Sequence, residues 1–130
     1  VYGFDVIRQE LRATPKGKVL GQNVRQRLLY VYDEIAGNHT FRTNSEIAEI
    51  ATEYALHYRG GISKKLLVND FLIVACASVH RLDIVVSEDN HSMFSPISKE
   101  AYQKVNDRHK LPMPEFYSLA EFEKRLVLPV

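Results

Sequence analysis

The stretch SKKLLVNDFLIVACASVHRLDIVVSEDNHSMF, from Ser63 to Phe94, constrains this chain more than any other. It reads as a loop, a buried helix, a tight turn, a buried strand and a second turn. The helix carries Phe71, Leu72, Ile73, Val74, Ala75, Cys76, Ala77, Val79 and Leu82, so it is apolar on nearly every side. Such a helix belongs in the middle of a domain. Asp70 falls where the helix is expected to start. Ile84-Val85-Val86 is a continuous apolar run, as in a parallel strand covered on both faces. Asp89 lies just past its end, and open α/β sheets place ligand sites outside the carboxyl ends of their strands.

A chain of 130 residues can bury one real core, and 1–130 reads as a single domain. The net charge of +1 neither demands nor excludes a nucleic-acid partner. With one cysteine, Cys76, neither an internal disulfide nor a thiolate metal site can form, so a reducing cytoplasm is the expected compartment. No apolar run approaches the roughly 20 residues of a membrane span, and no signal peptide is visible. The chain opens on Val1 rather than Met, so residues are expected upstream.

Around the central unit the sequence is mostly helical. Phe4 to Ala13 suits a short helix carrying Glu10, stopped by Thr14-Pro15 and Gly17. Val24, Leu28, Val31, Tyr32 and Ile35 recur at helical spacing between about Val19 and Ala36. Thr43 and Glu46 form a capping-box pattern ahead of a stripe from Ile47 to Tyr58, ended by Gly60-Gly61. Ser98 is placed to cap a helix running to about His109, with Ile97 and Tyr102 as its staple. Glu115 to Tyr117 reads as a short edge strand, and Ser118 with Glu121 as a second capping box. The class is α/β with excess helix, and its two or three visible strands are too few for a good sheet.

The chemistry lies with the carboxylates. Glu10, Asp70 and Asp89 stand at element ends or near an early turn. Taken singly, each has a plain reading: a solvated helix charge, a helix cap and a turn residue. Taken together, they offer the oxygen donors that Mg²⁺ or Mn²⁺ selects. A pair of such ions can activate water against a phosphodiester. Cys76 among apolar neighbours is inert, the five histidines lack zinc spacing, and Gly60-Gly61 is a helix stop rather than a phosphate loop.

Two runs carry a resemblance. Val68-Asn69-Asp70-Phe71-Leu72-Ile73-Val74-Ala75-Cys76-Ala77 and Leu82-Asp83-Ile84-Val85-Val86-Ser87-Glu88-Asp89 resemble the two motifs of the PIN domain. Phe4 to Arg12, with Glu10-Leu11, resembles that family's earlier acidic helix. The resemblance implies a PIN-like three-layer α/β fold with a small parallel sheet. It implies a divalent-metal-dependent ribonuclease, often the toxin of a toxin–antitoxin pair, so RNA and an antitoxin are the expected partners. Glu10, Asp70 and Asp89 would be the Mg²⁺ or Mn²⁺ ligands and catalytic residues, and Ser87 the small hydroxyl that orients the site. Arg8 and Arg12 beside Glu10, and Lys64 and Lys65 before Asp70, could hold the RNA backbone.

Two departures stand out. The family opens with a strand ending in an aspartate, and this first strand looks missing from the chain. Val1 to Asp5 is the alternative opening strand, with Asp5 as first ligand. His91 stands where many members carry a further acid. A sheet short of a strand exposes an edge that recruits a partner, so a homodimer is expected. The rival function is a non-catalytic PIN-like module that binds RNA or protein.

Overall fold

The computed structural model describes residues 2–5, 7, 18–19, 22–23, 30, 33–34, 36, 40–87, 92–118, 120–121 and 124. It divides into two compact units, Val1–Asn44 and Ser45–Val130.

In the first unit, strand β1 (Gly3–Phe4) pairs in parallel with β4 (Thr40–Phe41), Gly3 opposite Thr40 and Phe4 opposite Phe41. Phe4 is buried, and Tyr2 stacks on Phe41 with ring centroids 5.2 Å apart. A short strand thus stands where the sequence offered Val1 to Asp5 as an alternative opening strand. It takes Phe4 out of the helix expected there, in keeping with the preference of aromatic residues for strands. Strands β2 (Lys18–Val19) and β3 (Gln22–Asn23) form an antiparallel pair where the second expected helix should begin. Tyr30, Asp33, Glu34 and Ala36 are helical as expected. Asp5 and Ile7, in the first expected helix, are helical as well, and the rest of both expected helices lies outside the described residues.

In the second unit, helix α1 (Ser45–His57) buries Ile47, Ile50, Ala51 and Tyr54, the stripe that its periodicity predicts. Helix α2 (Lys64–Val79) starts well before Asp70, with Ser63 as its N-cap. Of the loop expected before Asp70, Lys64 to Asn69 is therefore helix. Lys64, Lys65 and Leu66 are good helix formers, and buried Leu67 extends the stripe of Phe71 and Val74 by one turn. Asp70 sits in the second turn and is not a cap. The helix ends before Leu82, which was expected on it. Arg81 takes a left-handed backbone (φ 55°), and Leu82 donates its N–H to the Ala77 carbonyl at 2.8 Å. These bonds close the helix end on its last orphan carbonyls.

Strand β5 (Ile84–Val86) matches its expected bounds and pairs in parallel with β6 (Glu115–Tyr117), Val85 opposite Phe116. Only the central Val85 is buried; Val86 is 41% exposed, so the strand is not covered on both faces as expected. Helix α3 (Pro96–His109) links the two strands. Its cap is Ser95 rather than Ser98, because Pro96 suits the first helical position and Ser95 Oγ accepts the Ser98 N–H at 3.2 Å. Ile97, expected in a staple with Tyr102, is exposed. Beyond β6 the second capping box forms as read, Ser118 N–H to Glu121 Oε1 and Glu121 N–H to Ser118 Oγ, each at 3.2 Å.

The core of this unit is aromatic. Tyr54 meets Tyr102 edge-on at 4.9 Å, and Phe71 lies 6.4 Å from Tyr54 and 6.1 Å from Tyr102. One residue from each of the three helices meets here, and such pairs add about 0.5–1.5 kcal/mol beyond their burial.

Candidate metal and nuclease site

Asp70 is half-buried on the second turn of α2. The Ser92 hydroxyl donates to its Oδ2 at 2.7 Å. That length is typical of a hydroxyl bonded to an ionised carboxylate, among the stronger hydrogen bonds in proteins. Ser92 lies in the turn that leads into α3. Its backbone carbonyl accepts the hydroxyls of Ser98 at 2.6 Å and Ser95 at 3.2 Å. Ser98 is fully buried. The head of α3 thus fixes the turn, and the turn's hydroxyl grips Asp70.

In the other unit, Asp5 follows β1 directly. Its carboxylate accepts the Thr43 N–H on Oδ2 and the Thr43 hydroxyl on Oδ1, both at 2.9 Å. Thr43 therefore serves Asp5, and α1 begins two positions after it rather than on the capping box read from Thr43.

Of the sequence-predicted site residues, Asp70, Ser87, Lys64 and Lys65 are described. Glu10, Asp89, Arg8 and Arg12 lie outside the described residues, as does His91. Ser87 follows β5, and its N–H donates to the Tyr117 carbonyl at 3.0 Å, continuing the strand pairing. Lys64 and Lys65 are exposed in the first turn of α2. Sequence reasoning missed Ser92. The spacing of Ser92, Ser95 and Ser98 marks a hydroxyl-rich helix start, but nothing in it points to Asp70.

Among the described residues, no three His, Cys, Asp or Glu side chains come together as a metal cage. The one described donor assigned to the metal, Asp70, fits Mg²⁺ or Mn²⁺ in kind. It is a carboxylate oxygen already oriented by a hydroxyl, and such ions take one or two carboxylates alongside waters and phosphate oxygens. Among the described residues, no helix is long and apolar enough to cross a membrane.

Short parallel strand pairs, one of them joined through α3, together with an oriented aspartate on α2, are consistent with an α/β protein of the PIN-like type. The PIN domain model matches residues 5–99, and the chain belongs to the PIN domain family. That family is one of nucleases, generally acting on RNA and dependent on divalent metal. No curated protein and no solved structure gave a significant match.

Proposed function

We propose that the chain is a divalent-metal-dependent endoribonuclease. The observation that carries this reading is the Asp70 carboxylate, half-buried and oriented by Ser92 within the stretch that matches the family. Asp70 acts as a ligand to Mg²⁺ or Mn²⁺. Glu10 and Asp89 join it on the strength of the sequence resemblance, and Ser87 orients the site. When bound, the ion supplies the positive charge that acidifies a water and offsets the phosphate oxygens. The Lys64 and Lys65 ammonium groups attract the RNA backbone through salt-sensitive phosphate contacts. Arg8 and Arg12 are assigned the same task from the sequence.

A second ligand assignment has its own support. Strand β1 runs straight into Asp5, and the family match begins at that residue. Asp5, held at both oxygens by Thr43, is therefore the further candidate ligand. Residues 1–130 are read as one PIN-like domain made of the two compact units. A cytoplasmic location, an antitoxin partner and a homodimer follow from the sequence reading alone, and light scattering of the purified chain tests the dimer.

The deciding experiment is cleavage of a fluorescent single-stranded RNA with Mn²⁺ or with EDTA. Metal-dependent cleavage that Asp70→Asn abolishes is the expected result. RNA binding without cleavage under every metal condition would instead establish the non-catalytic module.

A further inference from the structure

Asp70 is the one carboxylate on α2, and a hydroxyl from a different element engages it. Ser92 Oγ reaches Oδ2 at 2.7 Å across 22 positions of sequence. A serine hydroxyl can rotate, so it orients a partner only when its own backbone is fixed. Here the backbone is fixed with unusual thoroughness. The Ser92 carbonyl receives the Ser98 hydroxyl at 2.6 Å, the Ser95 hydroxyl at 3.2 Å and the Ser95 N–H at 3.4 Å. Ser95 is itself locked by capping α3, and Ser98 is fully buried in the first turn. Tyr102, one turn further on, donates its hydroxyl to the Met93 carbonyl at 3.0 Å. The turn is thus pinned to the head of α3 through two successive carbonyls, those of Ser92 and Met93.

We propose that Ser92 is a positioning residue for Asp70, held in place by the serines at the head of α3. This rests on the reading of Asp70 as a metal ligand. Ser92 engages Oδ2 and so selects one rotamer of the Asp70 side chain. It does not touch RNA or the ion. Loss of such a supporting hydrogen bond typically weakens metal binding about 10- to 100-fold. The Ser98 hydroxyl acts one step further back and has a smaller effect.

The test compares wild type, Ser92→Ala and Ser92→Thr in the whole chain. Three-bond couplings to the Asp70 carboxyl carbon, measured by NMR without metal, report its χ1 rotamer. Calorimetric titration with MnCl₂ reports affinity, and a thermal melt checks the fold. Ser92→Ala should average the Asp70 couplings and weaken Mn²⁺ binding about 10- to 100-fold. Ser92→Thr keeps a hydroxyl and should restore both. Couplings that stay single-rotamer in Ser92→Ala overturn the positioning role whatever the metal does. A wild type that binds no Mn²⁺, with couplings that still average in Ser92→Ala, overturns the nuclease reading and upholds the positioning role. An alanine variant too unstable to measure is replaced by Ser98→Ala, whose couplings must then move in the same direction or the relay is wrong.

Discussion

The Tyr54 hydroxyl donates to Asn106 Oδ1 at 2.6 Å, and neither residue has any surface in contact with solvent. The Asn106 amide donates in turn to Ser78 Oγ at 2.9 Å and to the Pro112 carbonyl at 3.3 Å. One polar residue from each helix therefore meets at the centre of an aromatic core. Among the described residues, no buried side-chain nitrogen or oxygen lacks a partner. A satisfied network of this kind fixes one arrangement of the helices, because any slip strands a buried polar group.

Removing the donor should be costly. Tyr54→Phe keeps the ring and its contacts with Tyr102 but leaves Asn106 Oδ1 without its hydroxyl. Urea unfolding should show a loss of about 1–3 kcal/mol at an unchanged slope. A variant as stable as wild type would show that the network adds nothing.

The same hydroxyl makes stability depend on alkaline pH. Burial is the main cause that pushes Tyr54 up from 10.0 to about 12, with the bonds to Ser78 and Asn106 pulling weakly the other way. The folded pKa lies above the unfolded one. The contribution is thus whole below pH 10.0 and fades as pH rises towards 12, where the unfolded chain sheds the proton first. Wild type should lose stability more steeply than Tyr54→Phe across that window, by up to about 3 kcal/mol. Parallel curves for the two proteins would contradict the assignment.

Gly60 sits under the ring of Tyr58, and a Cβ there would overlap the phenol. Tyr58 is buried and packs on Phe71 at 5.8 Å, so the rigid ring has little room to give. Gly60→Ala should cost about 1–3 kcal/mol. Gly61→Ala meets no atom within 4 Å and serves as the control, with a smaller loss expected in the same unfolding measurement.

Lys110 closes α3 in a left-handed backbone (φ 56°), with the Leu111 N–H reaching the Asn106 carbonyl at 2.8 Å. Its side chain is exposed. Lys110→Gly should therefore stabilise the fold by about 0.5–1 kcal/mol, since glycine adopts that conformation without strain. A fall in melting temperature would mean that the lysine stem contributes more than the strain costs.

Under the metal reading, Mg²⁺ or Mn²⁺ should raise the melting temperature of wild type. An ion at 100 times its dissociation constant adds about 2.7 kcal/mol to the folded state. Asp70→Asn should abolish that response and leave the metal-free melting temperature near that of wild type. An unchanged metal response in the variant would remove Asp70 from the ligand set.

Much of the second unit was legible. The stripe of α1, the bounds of β5 and β6, and the Ser118–Glu121 capping box all follow from local pattern, and local pattern is what a sequence displays. The start of α2 was misread because aspartate is a strong cap, and this outweighed the i, i+4 and i+7 spacing of Leu67, Phe71 and Val74. The pairing of β2 with β3 was missed because the helix expected from the repeat of Val24, Leu28, Val31, Tyr32 and Ile35 was begun too early, at about Val19. Ser92 was invisible for another reason. Its contact with Asp70 is tertiary, and no periodicity records which hydroxyl a folded turn will aim at a distant carboxylate. Membership of the PIN family was readable from the Asp70 and Asp89 motifs, although Asp89 itself lies outside the described residues.

The parallel pairing of β5 with β6 has a temporal consequence. A strand ending at Val86 must wait for Glu115–Tyr117 to be synthesised before it gains this neighbour. On the ribosome, at about 5–20 residues per second, β5 emerges seconds before β6, with α3 still forming in between. The family match stops at residue 99, so a chain cut there keeps the matched motifs and loses β6. Such a chain would leave β5 in the state of a nascent polypeptide, its hydrogen-bonding edge open to any strand that arrives first.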